Sequence, residues 1–450
     1  MSTIAAHALP VFALFAPACN PPTFLRLQLL GVAAILTTGR RTVSNLLRTL
    51  GHLAQGAPSS YHRALSEARW SGLRLAALLT RFLLRRFWPQ GTVTLVGDDT
   101  VSGHPGRKVY GQARHRDPVR SSKSYTAWRY GHKWVVLAVL VRFPFAGRPW
   151  ALPVLVALYR CEQDNRRRRR PHKTPAQLMQ LLLRLLLRWL PGRSFRFAGD
   201  AGYGSHEMAG FAARSGGRLH LVSRFHPRAN LFEPPPPVLG RRPNGRPRQK
   251  GAKLPSPQAA VAAGAPRRRH NVAWYGGGRR DVEAASGVGH WYRGGAGLVA
   301  VRWVYARDLS GTHRDEYFYT TELALTPPEV IERYAERWNI ETTFAEMRSY
   351  LGLETTRGRC ARTVLRAEPC LFGLYSVVAL LYEQLPGEAQ AEAGVEWEGK
   401  AAVTFSDAIT AVRRWLWTSW AFVAGGHDES FAKLPGPLRR TLLYALAPAA

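Results

Sequence analysis

Between residues 91 and 225 the hydrophobic pattern changes character, and that change constrains the fold more than any other feature of the chain. Three Val- and Leu-rich runs come first, at Thr92–Gly97, His132–Phe143 and Trp150–Tyr159. Each is bounded by Gly or Pro and reads as a strand. Three strands in succession predict a meander. A helical repeat over Pro175–Leu190 follows, then a strand Phe195–Gly199, a helix after Ser205 and a strand Leu219–Phe225. A meander passing into alternating helices and strands is an α/β core, and 46% hydrophobic residues are enough to bury it.

Strand, strand, strand, helix, strand, helix, strand is the order of a ribonuclease-H-like core. Residues 22–90 read as helices, with an apolar segment Phe24–Leu36, a second helix opened by Gly39-Arg40-Arg41-Thr42 and running through Leu50, and a continuation over Tyr61–Phe87. The helix introduced by Thr42 admits two readings, presentation of its N-terminus to DNA phosphates or simple packing. Pro227–His270 carries Pro234-Pro235-Pro236-Pro237, Arg241-Arg242 and Arg246-Pro247-Arg248-Gln249-Lys250, the composition of an exposed linker. Strand-like runs return at Leu298–Tyr305 and Glu316–Thr321, with tryptophans at 274, 291 and 303. The expected division is therefore an N-terminal helical, DNA-binding domain (1–90), the first part of the core (91–225), a basic loop and β-rich insertion (226–324), the end of the core (325–385) and a C-terminal helical region (386–450).

Charge narrows the function. The chain has 63 Lys+Arg against 30 Asp+Glu, a formal +33, which a compact fold tolerates best against a polyanion. Only eight of the basic residues are lysines, and arginine holds phosphate oxygens with two parallel hydrogen bonds; part of the excess is also what a GC-rich genome would produce. The Arg166, Arg167, Arg168, Arg169, Arg170 tract and the group Arg246, Arg248, Lys250 are candidate DNA contacts, with a solvated loop as the alternative. Neither carries interleaved aromatics. The cysteines, at 19, 161, 360 and 370, show no CxxC spacing, so neither a disulfide framework nor a zinc knuckle is indicated and a reducing compartment is expected. The apolar start Ala8–Ala18 lacks the basic region of a signal peptide, and the runs Leu181–Leu190 and Leu371–Tyr382 are broken by arginines or too short for a bilayer. A cytoplasmic protein, associated with the nucleoid when on DNA and without a membrane partner, is the expectation.

Aspartate is scarce, ten residues in all, so its placement carries information. Asp98 and Asp99 end the first strand and Asp200 ends the strand Phe195–Gly199. A carboxylate at the end of a buried strand bears a desolvation cost that a cation, a salt bridge or a helix N-terminus relieves. Turn-forming aspartates are the plainer alternative. Farther along, Thr326-Pro327-Pro328-Glu329 is a capping box that opens a helix predicted to run to Leu351. On it Tyr334, Arg337, Glu341 and Arg348 fall within an arc of roughly 60° over about 21 Å. Glu346 projects about 140° from Glu341, and Glu336 also points away.

Val96-Gly97-Asp98-Asp99-Thr100, Gly199-Asp200-Ala201-Gly202-Tyr203 and Tyr334-x2-Arg337-x3-Glu341-x6-Arg348 resemble, in order, the three motifs of DDE transposases of bacterial insertion sequences, in the branch defined by a Tyr-Arg-Glu-Lys helix. The resemblance spans roughly residues 25–385. It implies Asp98, Asp200 and Glu341 as catalytic metal ligands, Asp98 rather than Asp99 because the family motif is Asp-x-Thr/Ser, with Asp99 the alternative. Arg348 stands where the family has Lys. The resemblance further implies two Mg²⁺ ions, or Mn²⁺, about 4 Å apart, cleavage at element ends, strand transfer into target DNA, double-stranded DNA as partner, and a homodimer assembled on that DNA. Tyr334, Arg337 and Arg348 would bind phosphates beside the scissile bond. Trp291 or Trp303 would stack on a displaced base, or be buried. A catalytically inactive DNA-binding descendant, and a nuclease without strand transfer, are the alternatives.

Overall fold

The computed structural model describes residues 8–106, 108–117, 120–122, 124–237, 247–391 and 398–448. The chain opens on helices α1 (Ala8–Ala13), α2 (Pro21–Leu36), α3 (Val43–Leu50), α4 (Pro58–Ser66) and α5 (Gly72–Phe87). The helical run expected over Tyr61–Phe87 is thus broken, because Ser71 caps a new helix by accepting from the Arg74 amide. The apolar start is buried, Val11 completely and Phe12 nearly so.

The core follows with β1 (Val93–Gly103), β2 (Ala113–Arg116), β3 (Trp128–Val141), β4 (Trp150–Tyr159), α6 (Glu162–Arg167), α7 (Pro175–Trp189), β5 (Phe195–Gly199), α8 (His206–Ala213) and β6 (Leu219–Arg224). In space the strands lie in the order β4-β3-β1-β5-β6. Neighbours β4, β3 and β1 are antiparallel, whereas β5 runs parallel to β1 and β6 parallel to β5. The expected meander joined to α/β units is present. Strand β1 is longer than its sequence suggests. Asp98 and Asp99 do not end it, since it continues to Gly103 against β3; what ends beside them is the parallel pairing with β5, at Gly97↔Gly199.

The insertion comprises β7 (Leu231–Phe232), β8 (Lys253–Leu254), α9 (Pro257–Ala262), β9 (Arg268–Ala273), β10 (Arg279–Arg293), β11 (Gly297–Asp308) and β12 (Glu316–Thr320). It does not form a sheet of its own. Strand β12 pairs with β6 through Phe318↔Arg224, then β11, β10, β7 and β8 follow, giving one mixed sheet of twelve strands among the described residues. Within the stretch 227–270 read as a linker, residues 238–246 lie outside the described residues, and β7, β8, α9 and the start of β9 occupy parts of the rest.

Helix α10 (Pro327–Ala335), a 3-10 turn (Glu336–Trp338) and α11 (Asn339–Tyr350) replace the single helix predicted from the capping box. The box itself forms, with the Thr326 amide donating to Glu329 Oε2 at 2.8 Å. The interruption coincides with buried Glu336, whose carboxylate is held by Arg333 and Arg142. Helix α12 (Ala361–Gln384) and the C-terminal helices α13 (Gly387–Ala391), α14 (Phe405–Leu416), α15 (Phe422–Ala424), α16 (Asp428–Ala432) and α17 (Gly436–Leu446) complete the chain. Against expectation, α12 is long and apolar enough to cross a membrane, because the apolar run extends through tolerated Pro369 and Glu368. It packs instead against β4, α14 and the N-terminal helices. Its Glu368 carboxylate accepts inside the protein from Trp134 Nε1 at 2.7 Å and binds Ser102 and His132. The hydrophobic core is continuous, from Val32 and Leu83 through Trp134 to Ile409.

Candidate active site

Parallel pairing places Asp98 and Asp200 side by side. Gly97 and Gly199 are register partners, so the next residue of each chain segment extends to the same face of the sheet. Asp200 is then turned and fixed: its Oδ1 accepts from the amides of Gly202 at 2.9 Å and Tyr203 at 3.3 Å. Asp99, one residue on, faces the other side. It is engaged by Lys133 Nζ at 2.8 Å and receives the Tyr203 hydroxyl at 3.4 Å.

The helical residues reach Asp98 from above. Arg337 is buried and splits its guanidinium between two acids, Nη1 to Asp98 Oδ2 at 2.8 Å and Nη2 to Glu341 Oε1 at 2.9 Å. Tyr334, also buried, packs on Phe318 and lies under the guanidiniums of Arg337 and Arg224. Neither side chain is open to phosphate in this arrangement: Arg337 holds acids, and Tyr334 supports Arg337. Arg348 at the far end of α11 donates to Thr100 Oγ1 at 2.5 Å and to Glu354 Oε1 at 2.8 Å, so it too is anchored beside β1. Glu346 turns away, accepting from Arg148 at 2.5 Å and from the buried Tyr375 hydroxyl at 2.6 Å.

Burial pushes Asp98 up to about 7; the Arg337 guanidinium opposes that shift, and the Asp200 and Asp99 carboxylates add to it. Burial also raises Asp99, against the pull of Lys133. Arg337 is raised: burial alone would lower it, and Asp98, Tyr334 and Glu341 more than reverse the effect. Burial is thus the main reason that the Asp98 and Asp99 carboxyls are raised, with the neighbouring carboxylates adding to it.

The remaining predicted contacts have specific surroundings. The arginine tract is only partly a loop: α6 covers Arg166 and Arg167 and a turn follows, Arg166 pairs with Glu162, and Arg168 pairs with Asp164 while lying over the Tyr110 ring. Arg167, Arg169 and Arg170 are exposed. Arg241, Arg242 and Arg246 lie outside the described residues. Arg248 is exposed, whereas Lys250 sits between the rings of Phe232 and Tyr292. Trp291 packs with His206, Phe225 and Tyr319, and Trp303 is buried. Arg41, paired with Arg40 in the sequence, is buried and donates to Ala34, Gly39 and Tyr350 carbonyls, which leaves only Arg40 on the surface before α3. Lys133 was not among the sequence candidates. Its role depends on the β1–β3 register, and the only local signal is a lone lysine opening an otherwise apolar run.

The family model described as DDE superfamily endonuclease matches residues 15–281, more than half of the chain. The chain belongs to this superfamily. The matched part of this DDE endonuclease includes Asp98 and Asp200 and ends before the helix that carries Glu341. A piggyBac transposase, seen by cryo-EM in a synaptic complex with hairpin DNA, aligns at 11% identity and a TM-score of 0.41, over 95% of this chain and 77% of that one. No curated protein matches the chain.

The superfamily implies divalent metal ions. The donor set of this DDE endonuclease suits a hard cation: carboxylate oxygens from Asp98, Asp200 and Glu341, with a positive group already seated between two of them. Among the described residues no three acidic, His or Cys side chains are yet drawn together at metal-binding spacing. Arg337 holds Asp98 and Glu341 on either side of its guanidinium.

Proposed function

We propose that this DDE endonuclease is the transposase of a bacterial insertion sequence, of the Tyr-Arg-Glu-Lys branch, and that it cleaves element ends and joins them to target DNA. The observation that carries the proposal is the Arg337 bridge. One guanidinium links Asp98 to Glu341, and Asp200 follows Gly199, the register partner of the residue before Asp98, so three acids far apart in sequence are brought to the same end of the β1–β5 pair. Asp98, Asp200 and Glu341 would hold the metal. Bound there, Mg²⁺ or Mn²⁺ would activate the attacking oxygen and stabilise the leaving one.

The other residues prepare that point. Lys133 and Tyr203 hold Asp99 on the face away from Arg337 and Glu341, whereas Asp98 shares Arg337 with Glu341, which favours Asp98 as the ligand. Tyr334 supports Arg337, and Arg337 fixes the orientation of Asp98 and Glu341. Arg348 keeps positive charge beside β1, where a DNA backbone approaching Asp98 would pass. The test is incubation of the purified full chain with a plasmid carrying the DNA that flanks its reading frame, in Mg²⁺ and in EDTA. Metal-dependent nicks and joined products are expected, both lost in Glu341→Gln. Nicks without joined products would reduce the function to a nuclease, and no metal-dependent cleavage by the unaltered chain would mark an inactive descendant.

A further inference from the structure

Strands β2 and β3 project beyond the core as a two-stranded ribbon. Arg114 pairs across with Tyr130 and Arg116 with Trp128, and directly opposed residues share a face. The alternate residues His115, Asp117 and Ala127 are buried on the other face. The outward face therefore presents two arginines and two aromatic rings. Trp128 is 50% exposed, Tyr130 64%, and Tyr125 just before them 66%. The Arg114 guanidinium lies 4.6 Å from the Trp128 ring centroid.

This surface continues into the basic tract. Tyr110, three residues before β2, lies under Arg168 and accepts from Arg160 Nη1 at 3.3 Å, so α6 and its exposed arginines sit at the base of the ribbon. The ribbon also shares the sheet face of Asp98. Asp98 is the register partner of Val136, and Tyr130 and Trp128 alternate in step with Val136 along β3. Six residues separate Val136 from Tyr130, about 20 Å of strand. At about 3.4 Å per nucleotide that is about six nucleotides of one DNA strand.

Exposed rings interleaved with guanidiniums are the chemistry that binds unpaired nucleotides, the rings stacking on bases and the cations following phosphates. We propose that Arg114, Arg116, Trp128 and Tyr130 form a platform for a single-stranded DNA segment about six nucleotides from the cleavage point. The placement relative to cleavage rests on the function proposed above; binding to the platform does not.

The test measures fluorescence anisotropy of a labelled mixed-sequence 20-nucleotide strand, and of its duplex, with the full chain in EDTA, so that binding is scored apart from cleavage. Trp128→Ala/Tyr130→Ala is expected to weaken single-strand binding about tenfold or more and to leave duplex binding within about twofold, with an unchanged melting temperature because both side chains are exposed. Trp128→Phe/Tyr130→Phe, which keeps the rings, is expected to restore it. Arg114→Gln/Arg116→Gln is expected to make the logarithmic salt slope of single-strand binding shallower by about 1.4, two charges at about 0.7 each. Unchanged single-strand affinity in the alanine variant, or an equal loss for the duplex, would overturn the platform, the latter pointing to a ribbon that enters a duplex groove.

Discussion

At the scale of single residues the site turns on which carboxylate each cation holds. Asp98 meets Arg337 and Asp99 meets Lys133 on opposite faces of one strand. Asp98→Asn is expected to abolish metal-dependent cleavage, whereas Asp99→Asn retains part of it; the reverse ranking in a nicking assay would move the site to Asp99. Asp98 also sets a pH dependence. Its folded pKa lies near 7 and its ordinary value at 3.8, so the folded protein binds more protons across that window. The stabilising effect of that proton is complete below about pH 4 and is lost as pH rises through 7. In EDTA, melting temperature should therefore fall from pH 5 to pH 7.5 by more in the unaltered chain than in Asp98→Asn. Equal slopes would mean that Asp98 is ionised throughout.

At the scale of elements, α11 turns two glutamates five residues apart to different tasks, since five residues of helix place them about 140° from each other. Glu341→Gln removes a charge from the proposed metal site and is expected to abolish cleavage with little change in stability. Glu346→Gln weakens the contacts to Arg148 and Tyr375 and is expected to lower stability by about 1–3 kcal/mol while sparing cleavage below the melting range; denaturant melts alongside nicking assays check both. Packing of β1 on β3 has its own sensitive point at Gly131, where an added Cβ would fall 2.0 Å from the Ser102 carbonyl oxygen. Gly131→Ala should cost about 1–3 kcal/mol, against no measurable loss for Gly192→Ala, whose Cβ meets nothing. The core strands, the capping box and the stripe Tyr334, Arg337, Glu341 were legible because each depends on local periodicity. The 3-10 turn was not, because Glu336 is held by Arg142, nearly two hundred residues away. The ribbon was not, because β2 is four residues long and its amphipathic character appears only when it is paired with β3. Arg337 was legible as a neighbour of Glu341 on the helix, but its bond to Asp98 depends on how that helix docks on the sheet.

At the scale of the whole molecule, ion pairing leaves the formal charge of +33 unchanged but concentrates it on basic residues that no acid holds, because many of the 30 acids are already held by basic partners. The arginine tract after β4 shows the distinction within five residues. Arg166 and Arg168 are paired with Glu162 and Asp164 of their own helix, whereas no ion pair with a described acid engages Arg167, Arg169 or Arg170. A duplex backbone lying along α6 would release counterions chiefly through the second group, since a partnered guanidinium gains less from a phosphate. The logarithmic salt dependence of duplex binding, measured between 50 and 200 mM salt, should therefore become shallower by up to about 2.7, three charges at about 0.9 each, in Arg167→Gln/Arg169→Gln/Arg170→Gln. Arg166→Gln/Arg168→Gln should change it by less per residue. Equal changes per residue would show that DNA displaces the intrahelical acids. An unchanged slope in the triple variant would place the duplex elsewhere on the basic surface.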